Sequence, residues 1–152
     1  MRRESNIAIG QNAGKDDLIR SGNQHSALDR KTILVVEDIS SNYLLISAML
    51  SKHYNLLHAV NGEQAVAMVK EYKIDLLLMD MKMPVMDGLT ATAEIRKFDT
   101  NIPIVALTAH AFEADKVAAL KSGCNDYLVK PVDKARLMSV LRKYCHPSTL
   151  VL

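Results

Sequence analysis

The chain has 152 residues, 49% of them apolar and 24% charged, enough for one self-supporting core with a tail but not for two domains. Residues 1 to 31 hold six of the 19 basic and four of the 17 acidic side chains, so the net charge of +2 belongs to that segment. The 13 of each sign that remain leave the body neutral, without the dense basic face that direct contact with DNA or RNA requires.

Residues 1 to 31 carry three of the six glycines, no aromatic residue and polar clusters such as Ser21-Gly22-Asn23-Gln24-His25-Ser26, and read as a flexible leader or linker. The alternative is a short helix over Lys15 to Arg20, although its apolar pair Leu18-Ile19 is brief. From Thr32 onward, short continuous apolar runs alternate with helical periodicity, as parallel strands do when helices bury both faces of their sheet. The runs are Ile33 to Val36, Leu56 to Val60, Leu76 to Met79, Ile104 to Leu107 and Tyr127 to Val129. Between them the helical stripes are Tyr43, Ile46, Leu50, then Ala65, Val69, Tyr72, then Leu89, Thr92, Ile95, then Val117, Leu120. A last helix places Leu137, Val140, Leu141 and Tyr144 at i, i+3, i+4, i+7 behind Asp133 as N-cap. The spacing predicts five βα units over residues 32 to 144, with 145 to 152 as a C-terminal tail.

Cys124 and Cys145 form neither a CxxC pair nor a zinc-spaced set and read as free thiols. No apolar run approaches the ~20 residues that span a bilayer and no secretory signal opens the chain, so the expectation is a cytoplasmic protein without membrane contact of its own.

In an open α/β sheet, ligands sit beyond the carboxyl ends of the strands, where strand order reverses. Those ends deliver Glu37-Asp38 after the first strand, Asp80 after the third, Thr108 after the fourth and Lys130 after the fifth. Taken singly each is ordinary: an Asp after a strand is commonly a turn former, a Lys before Pro a surface charge. Together, three carboxylates repel one another unless a cation lies between them, and an all-oxygen set at a solvent-facing rim suits magnesium. Asp38 and Asp80 are the expected direct ligands, with Glu37 acting through an intervening water and the backbone carbonyl of Lys82 supplying a further oxygen. Asp80 then serves as nucleophile for a phosphoryl group, with magnesium, the Lys130 ammonium and the Thr108 hydroxyl each neutralising one equatorial oxygen.

Over residues 32 to 144 the sequence resembles the receiver domains of two-component response regulators. The resemblance rests on Ile33-Leu34-Val35-Val36-Glu37-Asp38, on Leu78-Met79-Asp80-Met81-Lys82-Met83-Pro84-Val85-Met86-Asp87-Gly88, on Ala106-Leu107-Thr108-Ala109 and on Asp126-Tyr127-Leu128-Val129-Lys130-Pro131. Met83 to Gly88, Thr108-Ala109-His110-Ala111 and Asn42 look most like receivers carried by hybrid sensor kinases. The resemblance implies a doubly wound, flavodoxin-like α/β fold with a five-stranded parallel sheet of order 2-1-3-4-5. It implies a phosphohistidine on a histidine kinase or histidine phosphotransfer domain as donor, with Thr108 moving toward the phosphoryl group and Tyr127 following inward. It also implies partner docking, including dimerisation, on the face formed by the fourth helix, fifth strand and fifth helix. Lys82 and His110 fall two residues past Asp80 and Thr108, where family members tune the lifetime of the phosphoryl group.

Met79, Met81, Met83 and Met86 cluster near Asp80, but thioethers favour soft metals and Met commonly fills gaps, so packing is the better reading. Of His25, His53, His58, His110 and His146, only His110 is expected near the site, and none as a catalytic base. A magnesium-dependent aspartyl-phosphate phosphatase needs Asp-x-Asp after the first strand, where this chain has Glu37-Asp38-Ile39. A flavin or dinucleotide binder needs glycine in Asp38-Ile39-Ser40-Ser41-Asn42, which has none. A degenerate scaffold is disfavoured by the intact polar set. The expected module is thus a signalling domain, either a single-domain regulator or a portion of a hybrid kinase, that promotes its own phosphorylation and dephosphorylation.

Overall fold

The computed structural model describes residues 29–146, so the leader up to residue 28, including the alternative helix over Lys15 to Arg20, and the tail beyond residue 146 lie outside the described residues. In chain order the elements are β1 (Thr32–Val36), α1 (Ser40–Leu50), β2 (Asn55–Ala59), α2 (Gly62–Glu71), β3 (Leu76–Asp80), α3 (Gly88–Arg96), β4 (Ile104–Thr108), α4 (Glu113–Ser122), β5 (Asp126–Val129) and α5 (Lys134–Cys145). The strands pair in parallel in the order β2-β1-β3-β4-β5, as expected. Chain order reverses between β1 and β3, which puts the functional crevice above those two strands.

Because successive strand residues point to opposite faces, each apolar run feeds two cores. Leu34, Val36, Leu77, Met79, Ile104 and Ala106 meet Ala65 and Val69 of α2, Ala91 and Ile95 of α3 and Ala119 of α4. Ile33, Val35, Leu76, Leu78, Val105 and Leu107 meet Ile46 and Leu50 of α1 and Leu137 and Leu141 of α5. The central strands β1, β3 and β4 are buried throughout, which explains why they read as unbroken apolar runs.

Boundaries moved by one residue: Asp80 and Thr108 are the last residues of β3 and β4 rather than the first beyond them, and β2 starts at Asn55 and stops at Ala59. Asp133 caps α5 as expected, its carboxylate accepting from Arg136 N at 2.9 Å. The stripe assigned to α4 is corrected. Val117 and Leu120 are 39% and 48% exposed, and α4 buries Ala119 instead, because it meets the core through that small residue in its C-terminal half.

Candidate functional site

Four strand ends converge on one crevice. Glu37 follows β1 directly and is fully buried; Asp80 ends β3 at 5% exposure; Thr108 ends β4 at 4%; Lys130 follows β5. Burial of two acids demands partners, and most of them belong to Glu37. Its Oε1 accepts from the Ile39 amide at 3.2 Å and the Asn42 side-chain amide at 3.5 Å, and its Oε2 from Lys130 Nζ at 2.8 Å. Lys130 Nζ lies 3.1 Å from Asp80 Oδ2, and the Lys82 amide donates to Asp80 Oδ1 at 3.2 Å.

These contacts divide the charge unequally. Burial pushes Glu37 up, but the Lys130 ammonium and the Ile39 and Asn42 donors outweigh it and hold the acid below its ordinary value. Burial lifts Asp80 above the usual carboxylate range, the Lys82 amide and Lys130 opposing it incompletely while the Glu37 charge adds to it. Burial works to lower Lys130, yet its two carboxylate partners hold it above its ordinary value, so it stays a cation. Asp80 is therefore the acid most in need of further positive charge.

Glu37, Asp38 and Asp80 each bring a carboxylate oxygen within 4.8 Å of the others. Asp38 Oδ1 is buried and has no hydrogen-bond partner among the described residues. An orphaned buried carboxylate oxygen beside two more hard oxygen donors fits magnesium in both charge and ligand chemistry. The Thr108 hydroxyl donates to the carbonyl of His110 at 2.9 Å, so in this state it is held by its own loop. Asp80, Thr108 and Lys130 line a cavity of about 470 Å3 that continues past Lys82 and His110 to Leu89 of α3 and Asp115 of α4.

A family model for the response regulator receiver domain matches residues 33–142. The chain belongs to this receiver family. Among relatives, the receiver is 41% identical over 119 residues to hybrid signal transduction histidine kinase M of Dictyostelium discoideum, covering 73% of this chain and 5% of that protein. It is 41% identical over 118 residues to the sensor histidine kinase GacS of Pseudomonas protegens, covering 74% of this chain and 13% of GacS. It thus spans only a small part of these longer relatives. One similar solved structure is the receiver domain of sensor histidine kinase PA1611 from Pseudomonas aeruginosa PAO1, with a magnesium ion coordinated in its active site cleft. The TM-score is 0.71 and the identity 40%, over 76% of this chain and 97% of that one. Another is the Saccharomyces cerevisiae Ssk1 receiver domain in complex with the histidine phosphotransfer protein Ypd1, at TM-score 0.74 and 35% identity over 80% of this chain and 93% of that one.

The receiver's predicted site residues Glu37, Asp38, Asp80, Thr108, Lys130, Lys82 and His110 all lie at this one end of the sheet. Tyr127 sits on β5, half-buried against the core, with Lys116 Nζ 4.8 Å from its ring centre. The methionines pack as expected, Met79 fully buried and Met81, Met83 and Met86 resting on the α2-α3-α4 side. One expectation is corrected: His110 is not alone among the histidines at the site, because His58 Nε2 lies 2.8 Å from the Glu37 carbonyl oxygen. His58 is on the edge strand, and only the parallel register of β1 with β2 brings it there, which spacing along one segment does not reveal.

Proposed function

We propose that this receiver takes a phosphoryl group from a phosphohistidine onto Asp80 with magnesium held by Asp38, Asp80, the Lys82 carbonyl and, through water, Glu37. The observation that carries the reading is a buried strand-end carboxylate with an ammonium at 3.1 Å and two more carboxylates within 4.8 Å, one of them orphaned. Bound magnesium supplies charge neutralisation for the carboxylates and for one phosphoryl oxygen. An Asp80 oxygen forms the bond to phosphorus as the donor's phosphorus–nitrogen bond breaks, and the donor imidazole leaves with the bonding pair and picks up a proton. Lys130, already bridging Glu37 and Asp80, needs only a small movement to reach a second phosphoryl oxygen. Thr108 exchanges the His110 carbonyl for the third, and that exchange couples occupancy of Asp80 to the β4-α4 loop and to Tyr127.

The donor is read as a histidine kinase or a histidine phosphotransfer domain, in keeping with the Ssk1 receiver's complex with Ypd1. Exposed Val117 and Leu120 on α4 support a partner or dimer face beside β5 and α5. Residues 32 to 144 are the signalling unit, placed by this reading in the cytoplasm; among the described residues no helix is long and apolar enough to cross a membrane. With magnesium and acetyl phosphate, intact-mass measurement is expected to show one phosphoryl group that acid and base both remove. Asp80→Asn abolishes it; equal incorporation in the Asn variant removes Asp80 from its role.

A further inference from the structure

Glu37 and Asp38 must point inward from the place where β1 ends, and β1 has few ways left to hold them there. The backbone ladder between β1 and β2 ends with Glu37 N donating to Ala59 O at 3.0 Å. Beyond it β2 ends and the backbone turns away into α2, and the Val60 amide goes to Gln64 Oε1 at 2.9 Å. At that point a side chain supplies the donor. His58 Nε2 lies 2.8 Å from the Glu37 carbonyl oxygen, and a carbonyl oxygen only accepts, so this nitrogen carries hydrogen. The imidazole is held in plane by Tyr43 of α1, whose ring stacks on it with centroids 3.8 Å apart and planes 6° from parallel. Tyr43 is itself fixed to the turn that follows the acidic pair, its amide donating to Ile39 O at 3.1 Å.

We propose that His58 is a positioning residue for the metal site. Its N–H fixes the Glu37 carbonyl, hence the plane of the peptide that joins Glu37 to Asp38, and so the direction of the unpartnered Asp38 oxygen. The inference rests on the reading of Glu37, Asp38 and Asp80 as a magnesium site. Glu37 keeps its own side-chain partners without His58, whereas Asp38 Oδ1 has none among the described residues to hold its aim. Loss of the N–H therefore reaches magnesium through Asp38.

The test is a magnesium titration of the full chain followed by amide NMR, with His58→Phe and His58→Gln. Phenylalanine keeps the stack on Tyr43 and removes the donor; glutamine offers an N–H at similar reach and removes the stack. Outer partners of metal ligands commonly contribute 10- to 100-fold in affinity, so His58→Phe is expected to weaken magnesium about tenfold and His58→Gln to recover most of it. Wild-type affinity in a His58→Phe variant of unchanged melting temperature overturns the proposal, as does a weakening that glutamine leaves unrepaired. If His58→Phe does not fold, 15N spectra of the wild-type ring decide, and a His58 Nε2 without hydrogen overturns it. A wild type that shows no magnesium shifts at Asp38 and Asp80 removes the site itself, and the proposal with it.

Discussion

At the scale of single residues, the site is an unequal pair of buried acids bridged by one lysine. Glu37 is paired and Asp80 is strained, and that difference has a sign in pH. A carboxyl group whose folded pKa is raised favours folding fully below its ordinary value, near ~3.9 for Asp, and loses that contribution as pH rises through the folded value. Asp80→Asn keeps a neutral group at every pH. Without magnesium the variant is expected to melt above wild type at pH 7 and together with it near pH 3, and a variant that melts below wild type at pH 7 refutes the strain. Magnesium at ten times its dissociation constant should then stabilise wild type by about 1.4 kcal/mol and the variant by less. The lifetime of the phosphoryl group is set at the same scale. Lys82 and His110 are exposed on the rim of the cavity above Asp80, and the His110 ring stacks on Phe112 with centroids 5.1 Å apart. A lysine stem and a braced imidazole would crowd a water approaching in line with an Asp80 oxygen–phosphorus bond, so slow decay is the expected outcome. Each tenfold change needs only ~1.4 kcal/mol on the barrier. A Lys82→Asn, His110→Glu double variant is expected to lose its phosphoryl group at least tenfold faster; an unchanged decay curve clears both side chains. The polar strand ends were legible in the sequence because burial makes central strands unbroken apolar runs, so their ends stand out. The Lys130–Glu37 bridge and the His58 contact were not, since they join residues 93 and 21 apart through a register that composition does not encode.

At the scale of elements, the segment between β3 and α3 ties the site to its surroundings. Met86 N donates to Pro84 O at 2.8 Å, closing a three-residue turn on Val85, which stands at φ 70°. A β-branched residue there is strained by about 1–3 kcal/mol, and Val85, 75% exposed, recovers little by burial. Val85→Asn is expected to raise stability by about 1 kcal/mol in urea unfolding without slowing phosphorylation, and a loss of stability would show that the turn is not strained. Gly88 lies at the other end of the loop. A Cβ there would collide with the Asp80 carbonyl oxygen and come within 2.9 Å of Met81 Cα, both backbone atoms with little room to yield. Gly88→Ala should therefore cost about 1–3 kcal/mol and slow phosphorylation together, because relief requires moving Asp80. The sequence announced this loop by its resemblance, yet the strain and the close approach emerge only once α3 is seated. The misjudged stripe of α4 has a related cause: where a helix packs through Ala118 and Ala119, its larger apolar residues are free to face outward, and periodicity alone follows the larger ones.

At the scale of the whole molecule, α4 is held very differently at its two ends. At the pole opposite the site, Arg96 donates from Nε to Gly123 O at 2.9 Å, from Nη1 to Asp99 O at 3.1 Å and from Nη2 to Asn125 Oδ1 at 2.9 Å. Asn125 Oδ1 also accepts from the Ile104 amide at 2.9 Å, so one guanidinium joins the ends of α3 and α4 to the starts of β4 and β5. At the site pole, α4 begins after Phe112 with no side-chain cap, behind a loop whose residues 109 to 112 are exposed. Thr108 reaches into that loop through His110. If Thr108 leaves the His110 carbonyl for a phosphoryl oxygen as proposed, the uncapped end would be free to follow while the clamped end stays, and α4 is expected to pivot rather than translate. Amide hydrogen exchange before and after acetyl phosphate should therefore change in the first turn of α4 and remain constant around Gly123. Arg96→Ala, which removes hydrogen bonds worth about 2 kcal/mol, should let the change spread to the C-terminal turn. Wild-type exchange that alters uniformly along α4 would show that the clamp is no fulcrum.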